Sequence, residues 1–194
     1  MAVQEHLNYQ PTLLEGHGFI GGEGEPGSSR SRRNLGLYYD LDLPEPTHYW
    51  IDLEGTWART AKNAKGAHEP RSILVAQFGD LRVIVAHMPP QAASEAVRVE
   101  TWHMVQTLLA SGSDTLLMWD GNDRRELQRG GPLTTTNLAR TVGGIQHGSK
   151  VDAAVTRGDI TRVGSARYIP APGDHGHVLD VTFQVPVTTL WPLP

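Results

Sequence analysis

Two β-rich runs, ILVAQF and LRVIVAH, are separated by nothing but Gly79 and Asp80. A turn-forming pair between two such runs commits the chain to a hairpin, which predicts strands at residues 72–78 and 81–87. From residue 91 to 110, Val97, Thr101, Met104, Val105 and Leu108 recur at helical spacing, with Glu95, Arg98 and Gln106 off the stripe. This is the pattern of an amphipathic helix. Residues 111–114 interrupt it, and the apolar TLLMW that follows, residues 115–119, suits a buried strand. LGLYYDLDL, residues 35–43, reads as a strand closed by Pro44 and Pro46. VDAAVT, residues 151–156, and HVLDVTFQV, residues 177–185, read as two late strands, and their alternation favours a sheet with one covered face. Residues 16–31, crowded with Gly, Ser and Pro, read as a loop, as do 60–70 and 120–129, and the Gly/Thr-rich stretch to 149 has little periodicity. Hairpin, long helix, buried strand and late strands together predict α+β or a layered α/β sandwich.

A chain of 194 residues with 39% hydrophobic content can bury a sizeable core, and the expectation is one domain spanning residues 1–194. It has no cysteine, which excludes disulfides, thiolate metal sites and a cysteine nucleophile, so any metal must be held by oxygen or imidazole. No apolar run reaches membrane-spanning length, and MAVQEHLNYQ lacks the basic-then-apolar profile of a secretory signal. A soluble, cytoplasmic protein that engages no membrane is expected, and no protein partner is implied. The formal charge of −4 argues against a broad basic face for gripping nucleic acid. Arg30, Arg32, Arg33, Lys62, Lys65 and Arg71 are local candidates for phosphate contacts, and solvated loops explain them equally well.

Hydrolysis of a phosphate ester calls for a metal to neutralise phosphoryl oxygens, a group to orient or deprotonate water, and donors for the developing charge. Polar residues at strand ends are the positions from which a scaffold aims side chains into one cleft. Glu5 follows the short apolar start AV, His87 ends the hairpin, Asp120 and Asn122 follow TLLMW, Asp152 opens its strand, and Asp174 and His175 precede the last one. Singly, an Asp at a strand end is ordinarily a turn former and a lone His a hydrogen-bonded structural residue. Their order carries the argument.

In that order, QEH (4–6), VIVAHMPP (83–90), LLMWDGND (116–123), VDAAV (151–155) and GDHGHVLDVTF (173–183) resemble the motifs of the endonuclease/exonuclease/phosphatase superfamily, across nearly the whole chain. The resemblance implies a four-layered α/β sandwich, two mainly antiparallel sheets packed face to face with helices outside and a divalent-metal cleft at one edge. It implies Mg²⁺ or Mn²⁺ held by the oxygen ligands Glu5, Asp120 and Asp174. Asp120 and Asn122 resemble the Asp-x-Asn pair that orients the attacking water and holds the phosphate, with WDGN here where GDFN is common. By the same resemblance His175 contacts the phosphoryl group or acts as general acid/base, Asp152 pairs with it and fixes its tautomer, and His87 assists the leaving group.

Two departures accompany this. The family's first strand, with its asparagine, and the helix after it have no counterpart before Glu5, so the chain is expected to be incomplete at its N-terminal edge, either a fragment or the product of a miscalled start at Met1. SRRNLGLYY stands where the deoxyribonuclease branch carries the glutamate that partners its first histidine, a departure that bears on the general-acid role of His87. The implied activity is a nuclease on nucleic-acid phosphodiesters. A phosphomonoesterase or lipid phosphodiesterase of the same superfamily, or a non-catalytic binding module derived from it, are the alternatives. His103 reads as surface or packing, Trp119 as core, and GFIGGEGEPG opens no helix that would make it a nucleotide-binding fingerprint.

Overall fold

The computed structural model describes residues 2–4, 15–21, 35–53, 71–89, 95–111, 114–121, 133–136, 140–142, 145–147, 152–170 and 177–186. At its centre is the predicted hairpin, β5 (Arg71–Phe78) and β6 (Leu81–His87), in antiparallel register with Phe78 opposite Leu81. Gly79 takes φ 56°, a left-handed value that an L side chain resists, and Gln77 Nε2 donates to its carbonyl at 2.7 Å. On the other side β6 runs parallel to β7 (Asp114–Asp120), an arrangement that requires a crossover. The helix α1 (Glu95–Ser111) supplies it. With β4 (Thr47–Leu53), β8 (Leu133–Thr136) and β11 (Asp152–Arg157) the sheet has six strands in the order β4-β5-β6-β7-β11-β8.

Side chains of a strand alternate between faces, and here both faces are covered. Ile73, Val75, Ile84, Ala86, Leu117, Trp119 and Val155 pack with Val105, Leu108 and Leu109 of α1. The opposite face, with Leu74, Ala76, Phe78, Leu81, Val83 and Val85, packs with Ile20, Leu35 and Leu37. Those three residues belong to β2 (His17–Gly21) and β3 (Leu35–Asp40), which with β1 (Ala2–Gln4) form a second sheet in the order β1-β3-β2. Continuous apolar runs such as SILVA and VIVA follow directly, since neither face of the central strands meets water. Between the described elements the fold is mixed α+β, with several sheets and one helix.

The helical stripe is as expected where described: Thr101, Val105 and Leu108 are buried and Met104 packs at the edge, while Arg98, expected off the stripe, is only 15% exposed. Residues 91–94 of the predicted helix lie outside the described residues, as does the predicted loop 60–70. Other expectations need correction. The glycine-crowded stretch from residue 16 is not all loop, because HGFIG pairs with β3 and buries Ile20 at 6% exposure. Glycine there serves close packing: a Cβ on Gly18 would meet the Tyr39 ring. The Gly/Thr-rich stretch contains β8, β9 (Arg140–Val142) and β10 (Ile145–His147). The strand from Leu35 ends at Asp40, three residues early, where Asp40 Oδ1 accepts from the Asp42 N–H at 2.9 Å in a turn. β4 and β12 (Thr161–Pro170) were not foreseen, the latter pairing with β13 (His177–Gln184) around an irregularity that contains Gly164 at φ 71°.

The last turn of α1 contains no basic residue, and the sheet beneath provides the missing charge. Arg157 Nη1 donates to the carbonyls of Leu109, at 2.6 Å, and Ala110. Arg82 Nη1 donates to the Leu108 carbonyl at 3.2 Å and to Ser111 Oγ at 2.8 Å. Cations at the negative end of the helix dipole, bonded to carbonyls that have no helical partner, fix the far end of α1 to β6 and β11. Arg157→Ala is expected to lower stability by about 1–2 kcal/mol in urea unfolding. Arg162→Ala, on exposed β12, should change it by less than about 0.5 kcal/mol.

Candidate active site

LRVIVAH and DTLLMWD each span seven residues, and each ends in a polar residue. Paired in parallel from Leu81 opposite Asp114, they bring His87 opposite Asp120. β11 runs the other way, so its first residue, Asp152, meets the last of β7 across the ladder. Three of the residues singled out from sequence therefore lie in one row across three neighbouring strands.

His87 Nε2 stands 3.4 Å from Asp120 Oδ2, with side chains 6% and 13% exposed. This is longer than a tight hydrogen bond and within ion-pair range, with charge on the histidine only when it is protonated. Catalytic contacts often sit at such lengths before substrate draws them together. Burying a carboxylate is costly unless it is paired, and an imidazole able to become a cation is a suitable neighbour. The backbone locks the pair in register, because the Met88 N–H donates to the Asp120 carbonyl at 2.7 Å. Alternation puts His87 and Asp120 on the face of Val83, Val85, Leu116 and Met118, between the two sheets. Met88, Leu117 and Trp119 point the other way, into the helix-side core, as expected for Trp119.

Glu5, Asn122, Asp174 and His175 lie outside the described residues. In sequence Glu5 directly follows β1, Asn122 comes two residues after Asp120, and Asp174 and His175 precede β13. Among the described residues no group of three or more His, Asp or Glu side chains is set to hold a metal ion. The carboxylate of Asp120 is the one oxygen donor of the expected set Glu5, Asp120 and Asp174 that is described, and an all-oxygen set suits a hard divalent cation. His103 is exposed on α1, in keeping with a surface role.

Two further polar residues fall in the same region. Ser72 of β5, 3% exposed, donates from Oγ to Asp52 Oδ1 of β4 at 2.7 Å, and the two are direct partners in the ladder. Ser72 opens the predicted strand 72–78 without any sign of a partner, and Asp52 lies in a strand that two prolines, Pro44 and Pro46, precede. The β-rich THYWIDL was the available signal.

No protein-family model matches the chain, and no curated protein matches it. Solved structures do match, seventeen chains in all, among them humanized D. rerio TDP2 bearing 14 mutations. That structure is similar at TM-score 0.54 and 14% identity over 88% of this chain and 76% of its own. At such identity the likeness is one of fold alone. Among the described residues no helix is long and apolar enough to cross a membrane.

The pairing at the sheet end is measurable without any assumed activity. In a double-mutant cycle at pH 7, His87→Gln and Asp120→Asn should show a coupling of about 1–2 kcal/mol in unfolding free energy. Strict additivity would contradict the contact.

Proposed function

We propose that the chain is a divalent-metal-dependent phosphoesterase that hydrolyses nucleic-acid phosphodiesters by direct attack of water. The observation that carries this reading is the alignment of His87, Asp120 and Asp152 at one end of a sheet. The fold's likeness to TDP2 supports it. In this reading residues 1–194 make one domain, a four-layered sandwich whose outer helices include α1. Glu5, Asp120 and Asp174 hold Mg²⁺ or Mn²⁺, which when bound supplies neutralisation of the phosphoryl oxygens.

The protein's own groups divide the remaining work. Asn122, two residues after Asp120 in sequence, orients the water and holds the phosphate. His175 exchanges the proton with the reacting oxygens, and the Asp152 carboxylate fixes its tautomer. His87 delivers a proton to the departing oxygen, and Asp120 is the carboxylate next to it. A nucleic-acid substrate on a chain of charge −4 must be gripped locally, for which Arg30, Arg32, Arg33 and Arg71 are the candidates.

Turnover of a plasmid and of single-stranded oligonucleotides should disappear in EDTA and return with Mg²⁺ or Mn²⁺. Asp120→Asn and His175→Ala should each lower kcat by at least about a hundredfold, with His103→Ala at the wild-type rate. Cleavage that persists in EDTA, or wild-type rates in all three variants, would refute the assignment.

A further inference from the structure

The row of polar residues does not stop at β6. Asp52 pairs with Ser72 across β4 and β5. Carrying the β5–β6 register two residues beyond Leu74 opposite Val85 sets Ser72 across from His87, which in turn is opposite Asp120. Five consecutive strands thus contribute Asp52, Ser72, His87, Asp120 and Asp152 to one line. The faces agree: Ser72 alternates with Leu74, Ala76 and Phe78, and Asp52 with Trp50, all packed between the two sheets as Val83 and Val85 of β6 are.

Ser72 is the polar member of a face that is otherwise apolar along β5, and it is 3% exposed. A buried hydroxyl is costly unless its hydrogen bonds are made. It has one proton and two lone pairs, and its proton is committed to Asp52 Oδ1 at 2.7 Å. What remains is acceptor capacity, the complement of an imidazole N–H. We propose that Ser72, held in one rotamer by Asp52, is a positioning residue that steadies the His87 ring against Asp120. The inference rests on the reading of His87 as part of the reaction. It adds β4 and β5 to the elements that build the site, and makes the Asp52–Ser72 bond the anchor of a row that continues through His87 to Asp120. A serine and aspartate paired only for their own sake would leave the His87 ring indifferent to either.

The test uses the full chain labelled with ¹⁵N. Long-range ¹H–¹⁵N spectra report each histidine ring, with the His87 signals identified by their loss in His87→Gln. Ser72→Ala should move the His87 ring signals and leave those of exposed His103 in place, and Ser72→Thr, which keeps the hydroxyl, should return them. Asp52→Asn, at a half-exposed position, should move the same signals even if Ser72→Ala does not fold. In parallel, Ser72→Ala should lower kcat for metal-dependent hydrolysis of bis(p-nitrophenyl) phosphate about tenfold with KM unchanged, and Ser72→Thr should restore it. His87 ring signals that stay put in folded Ser72→Ala, or in Asp52→Asn, overturn the proposal, as does an unchanged kcat in Ser72→Ala. A wild-type chain without hydrolytic activity would count against the phosphoesterase reading, while the ring signals would still decide the role of Ser72.

Discussion

Parallel pairing of β6 with β7 is the constraint from which the rest of the molecule follows. Two parallel neighbours cannot be joined by a tight turn, so the chain must leave one end of the sheet, cross a face and re-enter at the other. The seventeen residues of α1 make most of that crossing. The helix then has to bury a stripe, and the sheet has to present one face to it. The other face needs a second cover, which β1, β2 and β3 supply. The same register carries His87 and Asp120 to one level, and the Met88 N–H bond to the Asp120 carbonyl fixes that level.

In the proposed reading, chemistry and stability belong to opposite ends of the same strands. At one end β6 and β11 provide Arg82 and Arg157, whose charges are consumed by the carbonyls that close α1. At the other end β6, β7 and β11 provide His87, Asp120 and Asp152. Between them the strands are apolar on both faces, with Leu74, Val75, Ile84, Val85 and Leu117 essentially free of solvent. A body packed on both sides holds its terminal residues rigidly, and a buried histidine–carboxylate contact is tolerable there because the surrounding core supplies the stability that the contact does not. Rigidity of this kind is what a catalytic constellation needs from its scaffold.

Much of this was legible in the sequence, for identifiable reasons. The β5–β6 hairpin was readable because Gly79-Asp80 leaves a single sensible turn, and α1 because its buried positions recur every three to four residues. His87, Asp120 and Asp152 were visible as polar ends of apolar runs, and equal strand lengths turned three separate positions into one row. β2 escaped because glycine usually signals a loop, whereas Gly18 sits in a strand with the Tyr39 ring lying against it. β4 escaped because it follows two prolines and has an exposed first half. Asp52 and Ser72 were invisible as a pair, since only the ladder brings residues twenty apart into hydrogen-bond contact. The fold's likeness to TDP2, at 14% identity, shows how little sequence two chains need to share to adopt a similar framework.

The proposed reactive centre lies at the end of the sheet where β6 and β7 finish and β11 begins, and Mn²⁺ offers the most direct check. Substoichiometric Mn²⁺ added to ¹⁵N-labelled protein should broaden the amides of Met88, Asp120, Gly121 and Asp152 first. The amides of Gly79, Asp80, Arg157 and Gly158, about 20 Å away at the other end of the strands, should stay sharp. Broadening centred on those distant residues, or none at any Mn²⁺ concentration that supports turnover, would contradict the assignment of the site.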